Sequence, residues 1–166
     1  MTGTAGASQR ETSRGLATIT AMKLLLFLHL LFAVFAIGPL VGAATTAARG
    51  VKAGDGAAVA ATARTVRIYG YASLLVAVFG MALVQPKYHA KFSYPWVWIS
   101  LVLYLIALAV TLGVLVPSLR RAGSEIAAGS GASALAGRVA ASGGVIGLLF
   151  AVIVALMVYR PGGVSR

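Results

Sequence analysis

The run WVWISLVLYLIALAVTLGVLVPSL, residues 96–119, holds 24 consecutive residues without one Asp, Glu, Lys or Arg. As a helix rising about 1.5 Å per residue it is long enough to cross a hydrocarbon core of about 30 Å. Three more uncharged apolar runs, 24–44, 68–84 and 139–159, contain 21, 17 and 21 residues, and the four together fill half of the 166-residue chain. A charge at the centre of a bilayer costs at least a few kcal/mol, and all 14 basic and 3 acidic side chains lie outside the four runs. The pattern predicts an all-α fold, an integral membrane four-helix antiparallel bundle. Its spans fall near 22–45, 67–85, 96–119 and 139–159, within a single transmembrane domain over 16–162. Residues 1–15 and 163–166 read as tails, the first a disordered one because it is polar and aperiodic.

Composition agrees. Apolar residues make up 60% of the chain, charged ones 10%, and the mean hydropathy is +0.94; a soluble domain carries about 45–50% and about 25%. A net charge of +11 would point to nucleic acid in a soluble protein. Here the basic residues stand singly at span ends, which reads as topology signals and contacts with lipid headgroups, with no nucleic-acid partner. The absence of cysteine excludes disulfides, iron–sulfur clusters and thiolate-ligated haem. Arg10, Arg14 and Lys23 ahead of a run that ends in Gly42-Ala43-Ala44 resemble a signal peptide. The run of 21 residues exceeds the usual apolar region of about 7–15, so a retained span is expected.

The connections read as long, short, long: 45–67, 85–95 and 120–138. Two hairpins of this kind hint at an internal duplication, in which Gly38-Pro39-Leu40-Val41 matches Gly113-Val114-Leu115-Val116 at three places. Both longer connections, Ala-rich with basic residues, are candidates for short interfacial helices over 57–67 and 125–138. Proline removes a backbone donor and clashes with the carbonyl four residues back, so Gly38-Pro39 predicts a kink in the first span. Tyr88, His89, Phe92, Tyr94, Trp96 and Trp98, with Lys87 and Lys91, form an aromatic and basic belt that marks one membrane surface. Orientation is close to balanced. Lys plus Arg divides seven against seven between the surface bearing both termini and the opposite one, and residues nearest the span ends lean towards termini outside.

Membrane helices associate through small residues and interhelical hydrogen bonds. Each span carries one such stripe. Gly143, Gly147, Ala151 and Ala155 recur every four residues in span four, and replacing Gly147 with Leu is expected to break the closest contact. Gly70, Ser73, Ala77 and Gly80 line span two; Ser100, Tyr104, Ala107 and Thr111 line span three; His29, Ala33 and Ala36 line span one.

His29 is the one side chain with an ordinary pKa near neutrality inside a run, which makes it the candidate functional residue. It lies about 9 Å below Lys23, and Tyr104 about 12 Å below Trp96, at 1.5 Å per residue. Three roles compete: a neutral imidazole bonded to Tyr104 or Ser100 as interhelical glue, a haem or metal ligand, and a proton-relay or substrate contact. His89, Met22, Met81 and Met157 fall near the same surface, and imidazole with thioether suits copper(I). Only Glu11, Asp55 and Glu125 supply carboxylates, all outside the runs, so carboxylate acid–base chemistry in the membrane is excluded. No phosphate loop, nucleophile elbow or zinc motif occurs, and Asp55 in Ala53-Gly54-Asp55-Gly56 reads as a turn residue.

Lys23-Leu24-Leu25-Leu26-Phe27-Leu28-His29 with Gly38 downstream, Trp98 to Tyr104 leading to Val116-Pro117 and Arg120-Arg121, and Met157-Val158-Tyr159-Arg160-Pro161-Gly162 resemble a bacterial family of small four-span predicted integral membrane proteins of unknown function. The resemblance covers 23–162 and implies a bacterial inner-membrane, multi-pass protein. More distantly, the first span is similar to the opening helix of copper-resistance D proteins and HemJ-type protoporphyrinogen oxidases, which implies haem or copper at His29. Those families carry further ionisable residues in later helices, and here only His29 carries over. The functional expectation is a structural or accessory membrane subunit, as a homo-oligomer or within a larger membrane complex, without enzyme activity of its own. A haem- or copper-associated protein centred on His29, with His89, comes second and a small-molecule transporter third.

Overall fold

A computed structural model describes the backbone of residues 4–85 and 92–162, with side chains from Ser13 onward. Among the described residues six α-helices follow in order: α1 Thr4–Phe32, α2 Gly38–Lys52, α3 Gly56–Ala82, α4 Pro95–Val110, α5 Val116–Ala127 and α6 Ser133–Tyr159. α1 and α2 join through one π turn, Ala33–Ile37, and α4 and α5 through another, Thr111–Leu115. Four continuous rods result, Ser13–Lys52, Gly56–Ala82, Pro95–Ala127 and Ser133–Tyr159, each long and apolar enough to cross a membrane. The fold is an all-α antiparallel four-helix bundle.

Ahead of Gly38-Pro39, where the sequence predicts a kink, the helix takes a π turn. Pro39 lacks the donor that the preceding turn needs, and widening the hydrogen-bond register over Ala33–Ile37 accommodates its ring. The same device recurs ahead of the second proline within a span. Thr111–Leu115 precedes Val116-Pro117, and Pro117 occupies the same position in α5 that Pro39 occupies in α2. The two hairpins therefore share a plan: helix, π turn, proline-led helix, then a helix of 27 residues. They also exchange partners. α1 and α2 pack on α3, and α4 on α6, within each hairpin; α2 packs also on α6, and α5 on α3, between them. Pro39 thus corresponds to Pro117, not to the Val114 that the sequence match implies.

The connections differ from the expected lengths. α2 runs to Lys52 and α3 starts at Gly56, so the turn is Ala53-Gly54-Asp55; α5 runs to Ala127 and α6 starts at Ser133. The Ala-rich flanks that read as loops with short interfacial helices extend the spans instead, since Ala is the strongest helix former and no proline intervenes. Gly54 takes the left-handed conformation at φ 65°, which closes α2, and the Asp55 carboxylate accepts a hydrogen bond from the Ala58 amide at 2.9 Å as the cap of α3. Residues expected to form a disordered tail are helical from Thr4 on: the apolar span supplies the nucleus, and adding residues to an existing helix is far easier than starting one.

The most deeply buried positions cluster toward the end bearing these short turns. Leu40, Ala44 and Val51 of α2, Val59 and Val66 of α3, Leu119 and Ala122 of α5, and Val139 and Ile146 of α6 are almost fully enclosed. Several lie beyond the uncharged runs, where water is present and burial of apolar surface drives packing. Toward the membrane centre the bundle turns large side chains outward. Phe27, Val34, Phe35 and Leu148 are exposed, as lipid contact requires.

Of the aromatic belt, Phe92 and Trp98 are exposed, with ring centroids 6.2 Å apart. Trp96 departs from the expected belt position: it is buried with Val97, and the Arg160 guanidinium lies 5.7 Å from its ring centre. Tyr88, His89, Lys87 and Lys91 lie outside the described residues.

Candidate functional site

His29 projects from α1 onto α3. Its Nδ1 is 2.9 Å from the Val76 carbonyl oxygen. A carbonyl only accepts, so Nδ1 carries the proton and, in the neutral ring, Nε2 keeps its lone pair. The ring fits because residue 80 is glycine: a Cβ there would lie 3.0 Å from Cε1 and 3.3 Å from Nδ1. One turn along, Phe32 stacks on Phe79 with centroids 5.3 Å apart.

Tyr104 belongs to a second polar cluster. The Ser73 hydroxyl donates to the Gly70 carbonyl at 2.7 Å. It has a single proton, so in the 3.0 Å bond between Ser73 and Tyr104 the phenol donates. Phe150 of α6 packs edge-on against the Tyr104 ring at 6.4 Å, which joins α3, α4 and α6 around one side chain. Thr111 closes on its own helix, donating to the Ala107 carbonyl at 2.7 Å. The Ser100 hydroxyl is buried and has no hydrogen-bond partner among the described residues.

His29 therefore bonds a backbone carbonyl, whereas the sequence pointed to Tyr104 or Ser100. Sequence patterns show side chains only, so nothing in them marks the Val76 carbonyl as a partner; the signal for Ser73 and Gly80 was their place in the small-residue stripe of span two. His89 falls outside the described residues. Met81 and Met157 point outward. Among the described residues no group of three or more His, Asp or Glu is placed to hold a metal ion.

The small residues of α6 divide. Gly143 is buried directly against the Ala44 carbonyl of α2, the tightest approach among the described glycines, and Gly147 faces the Thr45 and Val41 side chains, where a Cβ would sit at 3.3 and 3.8 Å. Ala151 and Ala155 are exposed on the outer surface. The closest contact is thus at Gly143 and not at Gly147.

A bundle whose polar side chains bond inward and whose large apolar ones face outward along four membrane-length rods defines a multi-pass integral membrane protein. Residues 23–161 match the family model described as "Predicted integral membrane protein (DUF2269)", and the chain belongs to that family. No curated protein and no solved structure matches it.

Proposed function

We propose that this protein is a structural or accessory component of a larger assembly in the bacterial inner membrane. One observation carries the reading: the polar side chains His29 and Tyr104, within the spans, bind one helix of the bundle to another. His29 holds α1 to α3, Tyr104 holds α4 to α3, and Thr111 bonds its own helix. These groups rigidify the bundle, and within the spans the surface left for other molecules is the outer apolar one. Solubilisation of the tagged chain in mild detergent, followed by mass spectrometry and native sizing, tests this. Stoichiometric membrane partners, or a defined homo-oligomer, support it; a partnerless monomer refutes it.

A second reading, haem or copper held by His29, has a specific observation in its favour. Histidines that bind metals usually donate the other ring N–H to a carbonyl or carboxylate, which fixes the tautomer, and His29 Nδ1 does so with Val76. A Soret band or stoichiometric copper in the purified protein, lost in His29→Ala, supports this reading. A colourless, metal-free preparation from cells supplied with both overturns it.

A further inference from the structure

Near the turn-bearing end of the bundle, α3 and α5 leave a groove of about 450 Å³ between them, remote from His29. Ala60, Ala63 and Gly123 keep it open because they add almost no side-chain volume, and Arg64, Arg67 and Arg120 stand along it. Arg64 and Arg67 are three residues apart on α3 and so share one face.

Besides their place along the groove, two features suit these arginines to an anion. First, no ion pair among the described residues involves them: the Asp55 carboxylate caps α3, and Glu125 pairs with Arg121 at 2.9 Å. Second, their depth is defined twice over. Arg67 immediately precedes the uncharged run that starts at Ile68, and Arg120 immediately follows the run that ends at Leu119. Both therefore sit where hydrocarbon gives way to headgroups, with Arg64 about 4.5 Å further out at 1.5 Å per residue. Ile68, Tyr71 and Leu75 continue the same face of α3 into the membrane and are exposed, a surface suited to acyl chains.

We propose that this groove binds the phosphate groups of an anionic phospholipid carrying more than one negative charge. The guanidinium fork matches two phosphate oxygens at once, and three such forks without a carboxylate exceed the charge of one phosphodiester. A headgroup with two phosphates, or a phosphomonoester, comes closer to balancing them. The open floor admits the headgroup, and the apolar face below takes its chains.

Native mass spectrometry of the detergent-purified full chain tests the site, with cardiolipin, phosphatidylglycerol or phosphatidylcholine added. The expected result is one cardiolipin retained, with affinity at least about tenfold above phosphatidylcholine. The triple variant Arg64→Gln, Arg67→Gln, Arg120→Gln is expected to lose that preference. A charge-matched control, Arg49→Gln, Lys52→Gln, Arg138→Gln, is expected to keep it. All six side chains are exposed, and circular dichroism checks that both variants stay folded. Ala60→Leu fills the groove with every charge in place and is expected to weaken retention as well. Equal retention by the two triple variants, or no preference over phosphatidylcholine, overturns the proposal. So does displacement of the lipid by equimolar inorganic pyrophosphate, which would assign the groove to a soluble phosphate instead.

Discussion

Replacing Gly143 with Ala probes the contact on which the bundle closes. In an isolated helix the change is favourable by about 0.5–1 kcal/mol, because Ala loses less backbone freedom than Gly. Here the added methyl would overlap the Ala44 carbonyl oxygen and lie 2.8 Å from its carbon. Carbon atoms pack at about 3.5–4.0 Å, so the deficit approaches 1 Å. No rotamer change relieves it, since the atoms on both sides are fixed to helix backbones. α2 and α6 must separate, which loosens the packing of Ala44, Val139 and Ile146. Overpacking of this kind costs about 1–3 kcal/mol, and a rigid backbone neighbour puts it at the upper end, about 2 kcal/mol net of the helix-propensity gain. The neighbouring Gly144 supplies the control, because a Cβ there meets nothing within 4 Å, and Gly144→Ala is expected to be neutral or stabilising by up to about 1 kcal/mol. Unfolding in mixed micelles with increasing dodecyl sulfate, followed by circular dichroism, measures both variants. Equal stability of the two would refute the close α2–α6 contact.

Tyr104→Phe deletes the hydroxyl bonded to Ser73 and is expected to destabilise the bundle by about 0.6–1.7 kcal/mol, whereas Ser100→Ala removes a buried hydroxyl that lacks a partner and should not lower stability; a larger loss for Ser100→Ala in the same assay contradicts the assignment. Asp55→Ala removes the cap of α3 and should cost about 1 kcal/mol, with faster amide exchange at Ala58; unchanged protection there speaks against the cap. Pro39→Ala restores a backbone donor, so the π turn at Ala33–Ile37 should revert to α-helical register and rotate α1 by about one residue, or 100°. The His29 ring resonances would then leave their Val76-bonded positions, and an unaltered imidazole spectrum would show that proline is not the cause of the turn.

The number and identity of the spans were legible from the sequence because hydrocarbon excludes charge, and a side chain's charge is visible without coordinates. The inward stripes of the first three spans were legible for a related reason: small and polar residues at helical spacing are the means by which membrane helices associate. His29 was identifiable as the imidazole within a span on the same ground. Legibility ended where a contact involves backbone or depends on a partner helix. The Val76 carbonyl that holds His29 and the Ala44 carbonyl that meets Gly143 are atoms every residue possesses. Likewise Ala151 and Ala155 continue the spacing of Gly143 and Gly147, yet α6 turns them outward.

What the amino-acid order determined by itself was the solvent: four apolar runs, uncharged along their length, have to lie in lipid. Tertiary structure decided how the rods meet. Charges at 49–67 and 120–138 interrupt the hydropathy pattern, but they do not interrupt a helix whose opposite face is Val, Ala and Leu, so the spans continue past the membrane and turn within a few residues. Which helices exchange partners, and where α3 and α5 leave Arg64, Arg67 and Arg120 around a groove, depend on side-chain volumes summed over two helices at once. One chain read in order carries no record of that sum.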